Sequence, residues 1–99
     1  MNMIERHVTF NVIPGKEKDF ETLFKDVYSM AMSKQPGFIS VTLLKEHEKE
    51  AVYQMVIQFQ SLETAAAWRD SADHKALSPK IKALYKESTV QVYEVVAQK

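Results

Sequence analysis

The hydrophobic period of this chain switches from two residues to about 3.6 and back, and that alternation limits its architecture more than any single motif does. Between residues 3 and 13, Ile4, Val8, Phe10 and Val12 fall on one side, and Glu5, His7, Thr9 and Asn11 on the other. That is the period of a strand. Pro14-Gly15 ends it, because proline removes a ladder donor and glycine tolerates a sharp turn. From Lys16 the spacing of Phe20, Leu23, Phe24, Val27 and Ala31 is helical, with Lys18, Glu21, Thr22, Lys25 and Asp26 mostly opposite. Gln35-Pro36-Gly37 stops this helix, since proline biases its predecessor away from helical backbone.

Phe38 to Leu44 is predicted as the second strand, His47-Glu48-Lys49-Glu50 as a charged turn, and Ala51 to Gln60 as the hairpin partner. Strict alternation puts Phe38 and Leu44 on one face of the first of these, with Ile39, Val41 and Leu43 on the other. Its partner sets Tyr53, Met55, Ile57 and Phe59 against Val52 and Val56. Ser61, with Glu63 in the first turn, reads as the cap of a helix carrying Leu62, Ala65, Ala66 and Trp68 to about Ser71. Ser78-Pro79 reads as a second cap, opening a short helix with Ile81, Leu84 and Tyr85. Valine-rich Thr89 to Ala97 is the last strand.

The order strand, helix, strand, strand, helix, strand predicts the α+β class and the ferredoxin-like split βαβ arrangement. Residues 1–99 form a single domain in this reading, with a four-stranded antiparallel sheet and its helices on one face. Two helices cover one face only. Ile39, Val41, Leu43, Val52 and Val56 would then be wet in a monomer, although burying such a side chain fully is worth ~1.5–3 kcal/mol. An apolar face of that extent marks an interaction surface. The expected partner is a second copy of the chain, packed sheet against sheet about a two-fold axis.

Composition excludes several alternatives. A hydrophobic fraction of 45% with 26% charged residues is that of a folded domain. Thirteen basic residues balance thirteen acidic ones, so neither nucleic acid nor an acidic membrane surface is an expected partner. The absence of cysteine removes disulfides, thiolate metal sites and cysteine nucleophiles. Met1-Asn2-Met3-Ile4-Glu5-Arg6 holds no signal-peptide run, and nothing approaches the ~20 apolar residues of a membrane span, so a cytoplasmic location is expected. Gly15 and Gly37 are the only glycines, which leaves no phosphate loop and no expected nucleotide cofactor. His7, His47 and His74 lack metal-ligand spacing, so no metal is expected. Ser71 and Ser78 lie near His74 without a nucleophile-elbow context, which argues against a hydrolase triad.

The order of elements, the Gln35-Pro36-Gly37-Phe38 approach to the second strand, and Trp68-Arg69-Asp70-Ser71-Ala72-Asp73-His74-Lys75-Ala76-Leu77 together resemble the antibiotic-biosynthesis-monooxygenase family, over roughly Ile4 to Val96. In that family the helix after the third strand carries a tryptophan, then a small polar residue, then a histidine three residues on, matched here by Trp68, Ser71 and His74. The resemblance implies a dimeric α/β barrel with a pocket between sheet and helices. It also implies oxidation of electron-rich phenols or quinols by molecular oxygen with no metal, flavin or haem. A related group degrades haem with an asparagine on the first strand, a tryptophan, and a histidine about ten residues beyond it. Here Ser78 stands ten residues past Trp68, and Val8 stands at the strand position with Asn11 three residues off, so haem degradation is disfavoured.

Trp68 and His74 are the candidate catalytic residues. Trp68 offers an aromatic wall and an indole N–H, although core packing of an amphipathic helix accounts for it equally. His74 offers a base near neutral pH, which suits a phenol that must lose its proton before giving an electron readily; a purely structural role at a helix break is the alternative. His7 and Asn11 share one face of the first strand, where they supply polar groups to a substrate cavity or bond across a dimer interface. Tyr53 and Phe59 are candidate substrate-binding residues that also fit ordinary core, while His47 reads as solvated. Two functions stay open: a cofactor-independent monooxygenase acting on a small quinol, phenol or polyketide-like aromatic, and a non-enzymatic homodimeric barrel for ligand binding or stress response. The first requires Trp68 and His74 on one connected cavity; the second predicts a closed or featureless one.

Overall fold

Four strands, β1 (Ile4–Val12), β2 (Phe38–Lys45), β3 (Val52–Phe59) and β4 (Tyr85–Glu94), form one sheet in the order β2-β3-β1-β4, with every neighbouring pair antiparallel. The computed structural model describes residues 2–99. Helix α1 begins as Glu17–Leu23, passes through a π-helical turn at Phe24–Tyr28 and ends as Ser29–Ser33. Helices α2 (Leu62–Arg69) and α3 (Ala72–Lys82) follow β3. This is the expected ferredoxin-like α+β arrangement. Among the described residues no helix is long and apolar enough to cross a membrane.

The core lies between the sheet and the helices. Phe20, Phe24, Tyr28 and Met32 of α1 are buried with Phe10 and Val12 of β1 and with Tyr53, Met55, Ile57 and Phe59 of β3. Ile4 of β1, Ala65 and Trp68 of α2, and Leu77 and Ile81 of α3 complete it. Gly37, at φ +79°, turns the chain into β2 so closely under α2 that a Cβ there would lie 2.5 Å from the Thr64 side chain. Thr64 is itself fixed, because it forms a reciprocal capping box with Ser61.

Three expectations are corrected. Phe38 pairs with Phe59 but Ser40 with Gln58, so Ile39 is an extra residue in β2. A bulge of this kind inverts the facing of everything after it. Val41 and Leu43 therefore pack on the core, and Leu44 points to the helix-free face. That face is more polar than alternation suggested: Glu5, His7, Thr9 and Asn11 share it with Gln54, Gln58, Thr89 and Gln91. Its apolar members are Leu44, Val52 and Val56, with Tyr93 stacked 4.7 Å from His7.

The second correction concerns the helix after α2. Ser71, not Ser78, is its N-cap, and Pro79 lies inside it. The bond Pro79 cannot donate would have gone to the Lys75 carbonyl, and both residues are exposed, so water can serve that carbonyl instead. Third, the last strand runs Tyr85–Glu94 instead of Thr89–Ala97. The ladder shifts register after Asn11, pairing Val12 with Tyr85, and this draws Tyr85 out of the expected helix and onto Phe10 at 5.1 Å.

Candidate active site

Ser71 explains how Trp68 and His74, on different helices, come to face each other. Its hydroxyl donates to the Trp68 carbonyl at 2.7 Å, closing α2, and accepts from the His74 N–H at 3.1 Å, opening α3. One serine thus ends one helix and starts the next, and the two rings meet edge to face, 5.1 Å apart at 88°. Tyr28, at the end of the π-helical turn, completes an aromatic cluster, 5.6 Å from Trp68 and 6.4 Å from His74. A π turn holds more residues per turn than the α-helix around it and so changes the direction of later side chains.

These three rings line a cavity of about 220 Å³ between sheet and helices. Val8, Met55 and Ile57 form its sheet side. Val90, on the core-facing row of β4, also lines the cavity and is 48% exposed. Arg6, Arg69 and Lys82 supply its only charged lining among the described residues.

Sequence reasoning missed both Tyr28 and Arg6, and Arg6 is the more consequential. It sits on the core-facing row of β1 between Ile4 and Val8, paired to Ile57 and Val92, and is half-buried. The available signal was a charged residue at an apolar parity position of an alternating strand. Among the described residues it makes no ion pair.

Charge and burial set the state of the site. Burial holds the His74 imidazole below its ordinary value, and the nearby Arg6, Lys82 and Arg69 cations lower it further against the opposing effect of Asp70. His74 is therefore neutral at pH 7 and able to accept a proton. Tyr28 is pushed up to about 12 by burial, with Arg6 acting in the other direction, so its phenol keeps its proton and can donate a hydrogen bond. No buried side-chain nitrogen or oxygen among the described residues lacks a partner.

The other candidates lie elsewhere. His7 is on the helix-free face, bonded to Glu5 at 2.5 Å. Asn11 is on the same face, donating to Glu87 at 2.9 Å. Glu5 is held below the usual carboxylate range by bonds from Gln58 and then His7, so this is a local polar network apart from the cavity. Tyr53 is buried, its hydroxyl donating to Glu21 at 2.5 Å, and burial followed by that bond raises its phenol. Phe59 is buried against Phe38. None of these four lines the cavity that joins Trp68 to His74. Among the described residues no three histidine, aspartate or glutamate side chains converge as a metal site.

A four-stranded antiparallel sheet with helices on one face and an aromatic cavity beneath them defines the class, and the sequence places the chain within it: residues 3–80 of 99 match the family described as antibiotic biosynthesis monooxygenase, and the chain belongs to that family. Among solved structures it is similar to SnoaB, a cofactor-independent oxygenase from Streptomyces nogalater, with a TM-score of 0.87 at 20% identity, covering 100% of this chain and 96% of that one. A mutant of the same oxygenase gives 0.89 at 19% identity, covering 99% and 97%. A conserved protein from Methanosarcina mazei gives 0.85 at 21% identity, covering 95% and 93%. Among curated proteins none matches. At these identities the structural likeness speaks for the fold.

Proposed function

We propose that this protein is a cofactor-independent monooxygenase that oxidises a small quinol or phenol with molecular oxygen. The observation that carries the reading is that Trp68, His74 and Tyr28 line one connected cavity, as an enzyme requires and a featureless barrel lacks. Its volume of about 220 Å³ is below the ~300–1,000 Å³ of sites for drug-sized ligands, which suits an aromatic of one or two rings.

In this reading the substrate ring lies in the aromatic cluster, and neutral His74 takes the phenolic proton as general base. The phenolate gives an electron to oxygen far more readily than the phenol does. For a quinol the balance closes without an external reductant: one oxygen atom enters the ring, the other leaves as water, and the substrate supplies all four electrons as it becomes a hydroxyquinone. In this reading the Tyr28 hydroxyl and the Trp68 N–H donate hydrogen bonds to the developing oxyanion, the kind of stabilisation that dominates many enzymatic rate enhancements; that both residues line the cavity supports it.

We also propose a homodimer formed through the helix-free sheet face, where Leu44, Val52, Val56 and Tyr93 would be covered. Oxygen uptake by chelator-treated protein with a panel of hydroquinones tests the activity. Saturable uptake that heat treatment and His74→Gln both abolish supports it. Uptake undiminished in His74→Gln removes the proposed base, and an absence of uptake across the panel shifts the reading to a ligand-binding barrel.

A further inference from the structure

We infer that the cavity takes its substrate as an anion, an aromatic acid of one or two rings whose carboxylate pairs with Arg6. This deepens the reading above and rests on the same cavity. In a chain whose thirteen basic and thirteen acidic residues balance, the charged lining of this one cavity is all basic: Arg6, Arg69 and Lys82. Among the described residues no aspartate or glutamate lines it. Four acids adjoin lining residues in sequence, and each has another partner: Glu5 bonds His7 and Gln58 on the helix-free face, Asp73 accepts from Gln35, Glu87 accepts from Asn11, and Asp70 pairs with Arg69 at 3.4 Å with both side chains more than half exposed.

Arg6 makes the case sharpest. A half-buried guanidinium on the apolar row of a central strand has lost part of its hydration, and none of the described residues pays that back with an ion pair. An apolar side chain between Ile4 and Val8 would serve the fold better. An anionic ligand restores the missing partner, and arginine is suited to it because its planar fork binds both carboxylate oxygens at once. The aromatic cluster on the helix side and the arginine on the sheet side then fix the two ends of the substrate.

A matched pair of non-oxidisable probes tests this: 2-naphthoate and 2-naphthamide share size and shape and differ in charge. Their affinities are measured by calorimetry, with quenching of Trp68, the sole tryptophan, reporting that binding is in this cavity. A charge-assisted pair predicts that wild-type protein binds the carboxylate at least about tenfold more tightly than the amide. Arg6→Met, which keeps an apolar stem, removes that preference, weakening the carboxylate at least about tenfold more than the amide. The wild-type comparison stands alone should the variant fold poorly. Equal affinities, tighter binding of the amide, no saturable binding of the carboxylate at millimolar concentration, or a preference that survives Arg6→Met overturns the assignment. The two readings fail separately: oxygen uptake with neutral quinols but no carboxylate preference leaves the oxygenase and removes the anion site, whereas carboxylate binding with no uptake on any acidic or neutral quinol leaves the anion site and removes the oxygenase.

Discussion

Replacing Gly37 by alanine isolates a packing constraint on which the placement of α2, and with it Trp68, depends. At φ +79° an alanine costs about 1–2 kcal/mol in the left-handed region, offset in part by the ~0.4–1 kcal/mol gained from a less flexible unfolded chain. The new Cβ would also lie 2.5–2.6 Å from Cγ2, Cβ and Oγ1 of Thr64, and a side-chain rotation cannot move the Thr64 Cβ away. Overpacking of this kind costs about 1–3 kcal/mol. The sum is about 1–5 kcal/mol, against the ~5–15 kcal/mol that holds a domain together. Urea unfolding followed by circular dichroism reads it as a lower midpoint at constant slope. Thr64→Gly removes the obstructing Cβ together with the hydroxyl's bonds to Ser61, so in that background Gly37→Ala should retain only its backbone cost. A coupling of about 1 kcal/mol or more between the two sites is expected. Additive effects, or a Gly37→Ala cost within ~0.5 kcal/mol of zero, the range of ordinary surface substitutions, would refute the close-approach argument.

Other outcomes follow from the site and the sheet. If His74 is the base, the acid limb of kcat/KM lies below the ordinary histidine value of ~6.5, since burial and three cations favour the neutral ring. Arg6→Gln removes one of those cations and moves the limb upward; a wild-type limb at or above the ordinary value contradicts the assignment. Trp68→Ala costs ~3–5 kcal/mol by urea unfolding because the ring is 1% exposed, while His74→Gln lowers kcat by ~10²–10⁴ with little change in stability. Val56→Asp puts a charge at the centre of the helix-free face, opposite both His7 and Thr42, and is expected to convert a dimer to monomers in light scattering. A dimer that persists in this variant moves the interface elsewhere.

The order of elements was legible because period and punctuation agreed along most of the chain. β1 and α1 alternate or repeat cleanly and end at Pro14-Gly15 and Pro36-Gly37. β2 failed at one residue: the bulge at Ile39 arises from pairing with β3, and no local pattern announces it. The start of α3 was misread because Ser78-Pro79 and Ser71 both look like caps, and the choice depends on the Trp68 carbonyl that Ser71 reaches. Trp68 and His74 were legible as a pair through the family resemblance of the Trp68, Ser71, His74 pattern, not through spacing alone. His7 and Asn11 attracted attention as polar residues on a strand, yet their parity already set them on the face opposite the core row. Arg6 stands as a charge on the apolar row of β1, and the cavity it lines exists only where β1, β3 and β4 meet all three helices.

The most direct test of the oxygenase at the Trp68–His74 cavity is mass spectrometry of the product formed by chelator-treated protein under isotopically labelled molecular oxygen. The account predicts one labelled oxygen atom in the product, with the other in water, and loss of that product in His74→Gln. Incorporation of two labelled atoms, incorporation of oxygen from solvent water alone, or turnover that requires added metal would contradict it.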